Sequence, residues 1–340
     1  MIKNIKVETL GRDIVFPKAL DKPENHALIP HYRRQLITIH LKNSSKAIAN
    51  GLRRTLMDEM DIKAFDVDPA DIETDDVNIL AHAVIKSIQS IRINQKIPEN
   101  VRFSLDFHNT SAEPVMISAD QLKTTHKLNF VPFNTQFRII TVRDGRYLKI
   151  PNIKIKTAQG RIPGQSLHTA VCSIGYKPLD VEMYDRGVGQ SSLNTNPKEY
   201  ELTITTNGTV EPKWLLENAC KSIYDRVIAL QKEVELYDPK LGNHSSDLLD
   251  IYIANDIAHY VMKHETYTIG YLLNEFVYKC HPDISLSNLE IEHPTMIKST
   301  YKICSTNHKK IVIEAFENIT KTFKDLEAEF GDKLENKKKK

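Results

Sequence analysis

Hydrophobic residues recur at two different spacings along this chain, and the switches between them mark its elements. In Gln35–Leu41, Ile37, Ile39 and Leu41 fall on every second position, the period of a strand with one buried face. The period then lengthens to four. Ile48, Leu52, Leu56 and Met60 predict a helix opened by Ser44 or Ser45 and ending near Asp61. From Ala64 to Asp180 the texture is β-like. Val101, Phe103, Leu105 and Phe107 alternate, and Phe137–Val142 and Tyr147–Ile155 repeat the signal around the turn Asp144-Gly145 and a break at Pro151. Residues 181–198, rich in glycine, serine and asparagine, read as a surface loop. Residues 1–33 read as an irregular extension, because Pro17, Pro23 and Pro30 lie too close together for long elements.

A strand over Glu199–Thr205 and a turn at Asn207-Gly208 lead into a long helix opened by Thr209 or Glu211. Pro212 suits its first position, where the missing N–H costs nothing. Leu216, Ala219, Ile223, Val227, Leu230 and Val234 follow at spacings of 3, 4, 4, 3 and 4, a seam about as wide as one partner helix. Leu236–Asp247, with Pro239, Gly242 and two serines, reads as a linker. The pattern then repeats on a smaller scale. Strand-like Leu248–Ile253 leads to a capped helix over Thr266–Cys280, where Ile269, Leu272, Leu273, Phe276, Val277 and Cys280 form the stripe. Strand signals return in Ser287–Ile291 and around Ile297, Ser299, Tyr301 and Ile303. A last helix over Asn307–Phe330 carries Val312, Ala315, Phe316, Ile319, Phe323, Leu326 and Phe330 on one seam, ahead of a charged, frayed tail.

Both halves therefore follow one scheme: strand, capped helix, strands, then a long helix with an apolar stripe. Burying each Leu, Ile or Phe contributes on the order of 1.5–3 kcal/mol, so a wet stripe of six or seven such residues is unfavourable. Packing the helices of one half on those of the other relieves it. The plainer alternative is that each stripe covers only its own sheet. The expected architecture is α+β, with domains over 34–98 plus 199–235 and over 248–331, a β-rich insertion over 99–198, a linker over 236–247 and a tail over 332–340. Twelve linker residues reach at most about 40 Å, and the fusion gives the halves an effective concentration in the millimolar range or above.

Composition narrows the function. The 340 residues carry a formal charge of only +2, so proteins are expected as partners ahead of DNA, which a strongly basic face would announce. No stretch of 18 apolar residues predicts a membrane span, and the start MIKNIKVETL lacks the apolar core of a secretory signal. The cysteines at 172, 220, 280 and 304 stand 48, 60 and 24 residues apart, without a CxxC pair, and read as buried thiols in a reducing compartment. Asp66–Asp76 fails as a calcium loop, since Asp71 and Val77 stand where glycine and glutamate are needed, and reads as a solvated acidic loop. No helical HExxH, phosphate-binding loop, GxSxG or dinucleotide fingerprint appears. Catalytic residues, metal ligands and cofactors are accordingly expected to be absent.

Two segments carry a resemblance. Residues 43–60, NSSKAIANGLRRTLMDEM, are similar to the signature helix of the α-like subunits of multisubunit DNA-directed RNA polymerase: bacterial α, archaeal D and the third-largest subunit of eukaryotic polymerase II. Residues 264–305, with Thr268-Ile269-Gly270, Leu272, Leu273 and His293-Pro294, resemble the small partner, archaeal L or the eleventh subunit of eukaryotic polymerase II. Thr205–Pro212 resembles the turn before the larger partner's long helix, and His168 in Gly164–Ala170 matches a histidine there. The likeness spans about residues 34–330, and fusion in this order looks like the arrangement of some large DNA viruses.

The resemblance implies two α-like dimerisation domains packed helix to helix. It also implies a non-catalytic platform that binds the largest and second-largest subunits, with small zinc-bearing subunits docking nearby and DNA met only through the complex. Asn50, Leu52, Arg53, Arg54 and His168 are the implied partner-facing residues. The implied seam is Leu216, Ile223, Val227 and Leu230 against Ile269, Leu272, Leu273, Phe276, Phe316, Ile319 and Phe323. Gly51, costly mid-helix, suggests close approach by a partner backbone. One departure is Leu80–Ile85, which lacks the arginine of the family's acidic–His–Arg–Gly stretch. The implied setting is intracellular: host cytoplasm and virion for a viral chain, the nucleus otherwise. A free-standing nucleic-acid-binding or regulatory module of the same fold is the competing reading.

Overall fold

Gln35–Leu41 lies second in a four-stranded antiparallel sheet, between Ile2–Thr9 and Tyr200–Thr206, with Val171–Pro178 beyond the latter. The computed structural model describes residues 1–10, 35–93, 95, 97–124, 137–179, 197–293 and 296–338. The expected irregular extension thus begins with a strand. Ile5 sits opposite Ile39, and Ile2 and Ile5 are buried, so the segment gains an apolar face only through its partner. Pro17, Pro23 and Pro30 lie outside the described residues, as does nearly all of the expected 181–198 loop.

Helix α1, Lys46–Arg54, starts where the change of period requires. The Ser45 hydroxyl caps it by accepting the Ile48 N–H at 3.3 Å. It runs into one wide π-helical turn, Thr55–Glu59, and stops at the extended Met60. The chain then enters the insertion. Asp61–Val67 pairs with the long strand Tyr147–Gln159, which also pairs with Phe103–His108 and with the short Glu73–Thr74. Pro151 does not end that strand. It falls at a register shift in the ladder with Phe103–His108, the kind of irregularity that tolerates a proline.

The β-like reading of this region misses one helix, α2, Ala81–Ser90, whose N-terminus has no side-chain cap. Its inward Val84 and Ile88 join a core running from Phe65 to Ile155, separate from the main one. That core moves the boundaries expected at 99 and 198. The insertion begins with the strand at Asp61 and ends with the strand at Gln159, and Val171–Pro178 belongs to the first sheet, paired with Tyr200–Thr206.

Helix α3, Pro212–Leu236, starts on its proline and buries Leu215 and Cys220 beside the expected seam. In the linker, Tyr237 is buried and His244–Ser245 pairs with the strand Leu249–Ala254. A hairpin through Asn255 and Asp256, both at positive φ, returns the chain as Ile257–Met262, a strand the sequence reading lacked. Helix α4, Tyr267–Cys280, and the strands Leu286–Glu290 and Ser299–Cys304 follow, completing a five-stranded sheet. Helix α5, His308–Lys338, runs well past Phe330. The expected frayed tail is helical as far as Lys338, because it has something to hold. Leu334 is buried, and Lys333 Nζ donates to the carbonyls of Ile2 at 2.5 Å and Lys3 at 3.0 Å.

α3 and α5 lie antiparallel. Lys213 meets Glu335 at one end, and Lys309 Nζ donates to the Tyr237 carbonyl at 2.6 Å at the other. One continuous core extends from Ile2 to Leu334 and takes in both sheets, α1, α3, α4 and α5.

Candidate functional site

The two halves meet where α1 crosses α4. A Cβ placed on Gly51 would lie 3.4 Å from Leu272 Cδ1, so the bare glycine is where the leucine of the other half seats. The close approach anticipated at Gly51 is thus made within the chain and not by a separate subunit. Leu216, Ile223, Val227, Leu230, Ile269, Leu272, Leu273, Phe276, Phe316, Ile319 and Phe323 are all buried in the main core.

Against this apolar seam lies a cluster of ions that the sequence reading did not find. The wide turn after α1 turns Glu59 inward until it is fully buried. Arg226 of α3 joins it to the second half, with Nη2 2.9 Å from Glu59 Oε2 and Nη1 2.9 Å from Glu265 Oε2. Arg161, from the turn that leaves the insertion, reaches Glu265 at 3.5 Å. The Thr268 hydroxyl donates to Glu59 Oε1 at 2.6 Å, and Arg54 Nε lies 3.4 Å from the same oxygen.

Burial alone would push the Glu59 carboxyl up, but Arg226, Arg161, Arg54 and the Thr268 hydroxyl outweigh it and hold its pKa low. Glu265 goes the other way. Its burial outweighs Arg226 and Arg161, and the neighbouring Glu59 charge adds to the upward shift. Buried ion clusters of this kind are poor sources of net stability, because desolvation offsets attraction. Removing one partner nevertheless leaves a costly unpaired charge. The available sequence signal was weak: Glu59 adjoins Met60, and Arg226 adjoins Val227 on the stripe.

The residues implied to face a partner separate into two groups. Asn50 and Arg53 lie half-buried on the outward side of α1, with Arg53 Nε donating to Asn50 Oδ1 at 2.9 Å. Leu52 and His168 are buried outright, which removes them as outer contacts. Leu52 belongs to the main core. Burial lowers the His168 pKa, and its Nδ1 stands 3.2 Å from the Gln165 carbonyl. Arg54 turns inward: Nε donates to Thr268 Oγ1 at 3.1 Å, and the guanidinium sits 5.2 Å from the Tyr267 ring centroid. Adjacent helix positions diverge by about 100°, which is why Arg53 and Arg54 part company.

The acidic run is not wholly solvated either. Asp76 is buried against Arg143, whose Nε and Nη2 stand 2.9 and 2.7 Å from Oδ1, and these bonds hold its pKa down to about 2. Among the described residues, no group of three or more His, Cys, Asp and Glu is placed to hold a metal ion. None of the described helices is long and apolar enough to cross a membrane. Pro294 of the His293-Pro294 pair lies outside the described residues.

The model of the RNA polymerase Rpb3/Rpb11 dimerisation domain matches residues 38–227. The chain is 27% identical over 317 residues to the DNA-directed RNA polymerase RPB3-11 homolog of African swine fever virus, isolate Tick/South Africa/Pretoriuskop Pr4/1996, covering 86% of each chain. The similarly named protein of isolate Pig/Kenya/KEN-50/1950 is 27% identical over 326 residues, 88% of each.

Proposed function

Because this chain belongs to the RNA polymerase Rpb3/Rpb11 dimerisation-domain family, we propose that it supplies both members of that pair in one polypeptide. It is a non-catalytic assembly subunit of a DNA-directed RNA polymerase and works together with other polymerase subunits. In our reading, α1, α3, α4 and α5 close the pair internally, through the seam of Leu216, Ile223, Val227, Leu230, Ile269, Leu272, Leu273, Phe276, Phe316, Ile319 and Phe323. The closed pair then binds the largest and second-largest subunits, the latter through Asn50 and Arg53. Small zinc-bearing subunits dock nearby, and DNA is met only through the complex. The relatives are viral, which supports a place of action in the host cytoplasm and the virion.

The observation that carries this reading is the single core running from Ile2 to Leu334 through both halves. Affinity purification of the tagged chain from cells expressing its polymerase tests it. Two very large polypeptides are expected in stoichiometric yield, and Arg53→Glu should cut recovery of the second-largest by tenfold or more, about 1.4 kcal/mol. Recovery of the chain alone, or of nucleic acid without large subunits, would overturn it.

A further inference from the structure

The chain crosses from the first half to the second over a cluster of aromatic and imidazole rings. Tyr237, just past the end of α3, is buried, and its hydroxyl has no hydrogen-bond partner among the described residues. Two histidine rings flank it. His244 of the linker lies 6.5 Å away, centroid to centroid, and His308, the first residue of α5, lies 5.9 Å away. Packing, together with the Lys309 ammonium on the Tyr237 carbonyl, is what holds this tyrosine.

The two histidines answer acid in opposite ways. His244 Nε2 stands 3.1 Å from Glu233 Oε2 on α3, so a proton there gains a carboxylate partner. Ser246 and His244 together hold the Glu233 carboxyl below its ordinary range, which keeps that charge available. His308 has the reverse setting. Its Nδ1 lies 2.7 Å from the buried Tyr260 hydroxyl, which has no other hydrogen-bond partner among the described residues. The hydroxyl proton is therefore satisfied only by a neutral ring with Nδ1 as acceptor. Around that ring stand Tyr237 and Tyr260, with Tyr301 6.4 Å beyond Tyr260. The charged neighbours are Lys309, next along α5, and Asp238, which acts on Tyr237 from the linker. The N-terminus of α5 adds partial positive charge of its own. A second proton on His308 would enter an apolar site beside a cation and orphan the Tyr260 hydroxyl.

We propose that this cluster is an acid-sensitive bolt: neutral His308 fastens the linker to the second half, and its protonation loosens that hold while His244 tightens the linker's grip on α3. Every group in the bolt belongs to this chain, so it works whichever subunits the chain binds. Burial lowers the His308 pKa below the ordinary value near 6.5. The stability that His308 supplies is therefore complete above about pH 6.5 and is lost as pH falls through that value. Histidine is the side chain whose charge changes most readily in this range.

Thermal melting of the full-length chain and of its His308→Asn variant, from about pH 7.5 down to about pH 5.5, tests the bolt. Asparagine offers an oxygen to the Tyr260 hydroxyl but does not titrate, and the remaining histidines are common to both proteins. The melting advantage of the wild-type chain over His308→Asn should shrink by about 2 °C or more across that range. Hydrogen exchange in the wild-type chain, corrected for intrinsic rates, should quicken over residues 237–249 at the acid end. His244→Gln should steepen the wild-type loss by removing the counterweight on Glu233, and an unchanged slope would refute the opposed roles. Parallel melting of the wild-type chain and His308→Asn overturns the bolt. Should His308→Asn fail to fold, the titration of the wild-type His308 ring by NMR decides. A midpoint clearly below about 6.5 supports the bolt, and one at or above it sinks the proposal.

Discussion

The junction between the halves and the insertion both bury ions, but they draw them from different distances. Inside the insertion, Asp76 and Arg143 belong to the same small domain. Arg143 keeps 42% of its side chain in water, and the surrounding core runs only from Phe65 to Ile155. At the junction, Glu59 and Arg226 stand 167 residues apart in the chain, and Glu265 closes the cluster from the other half. None of those three side chains is more than 14% exposed. The insertion thus carries its own core and its own counter-ions, while the junction takes its shape from two distant segments at once. Changes in the first should stay local, and changes in the second should be felt throughout.

The strongest way to break this contrast is at the shared core. Phe323→Ala, fully buried on α5, should cost about 3–5 kcal/mol in denaturant unfolding. The loss should appear in a transition common to both halves, and a loss confined to the second half's amides by hydrogen exchange would contradict it. Arg226→Ala removes the guanidinium that Glu59 and Glu265 share, leaving them only the longer contacts to Arg54 and Arg161, and should cost about 3–5 kcal/mol. Melting there should recover partly when Glu265→Gln is added, since one of two buried carboxylates that then share less positive charge disappears.

Ile117→Ala, in the insertion's core, should cost about 2–5 kcal/mol, with faster exchange confined to residues 61–159. Spread of that effect to α3 and α5 would erase the distinction. The pH dependence at Asp76 is a subtler probe. Its folded pKa of about 2 lies below the ordinary unfolded value near 3.9, so the Arg143 bonds add stability above pH 4 and lose it as pH falls through 2. The stability gap between the wild-type chain and Asp76→Asn should therefore close across that window. Smallest of all, Lys149→Ala breaks an exposed pair with Glu73 and should move stability by no more than about 0.5 kcal/mol.

Legibility followed the range of the interaction. The stripes on α3 and α5 could be read because Ile223, Val227, Phe316, Ile319 and Phe323 repeat over many turns, and a long period survives local noise. Ile2–Thr9 could not, because Ile2, Ile5 and Val7 make sense only beside Gln35–Leu41. α2 escaped because Val84 and Ile88 are a short face without a capping side chain. The hairpin turn at Asn255-Asp256 was a readable signal that the sequence reading passed over. At the candidate site, the mid-helix Gly51 signals a close approach, but only the fold shows that its neighbour is Leu272 of the same chain. The ions were invisible for a stronger reason: nothing local says that Glu59 turns inward, since that depends on a single wide turn in the backbone.

That turn over Thr55–Glu59 fits one more residue into the helix than ordinary winding would. Each residue advances a helix by about 100°, so the surplus acts as a phase shifter between α1 and everything downstream of it. Losing any one residue there would reset the phase, swinging Glu59 away from Arg226 and moving the whole insertion around the axis of α1. The length of this stretch is therefore fixed more tightly than its composition.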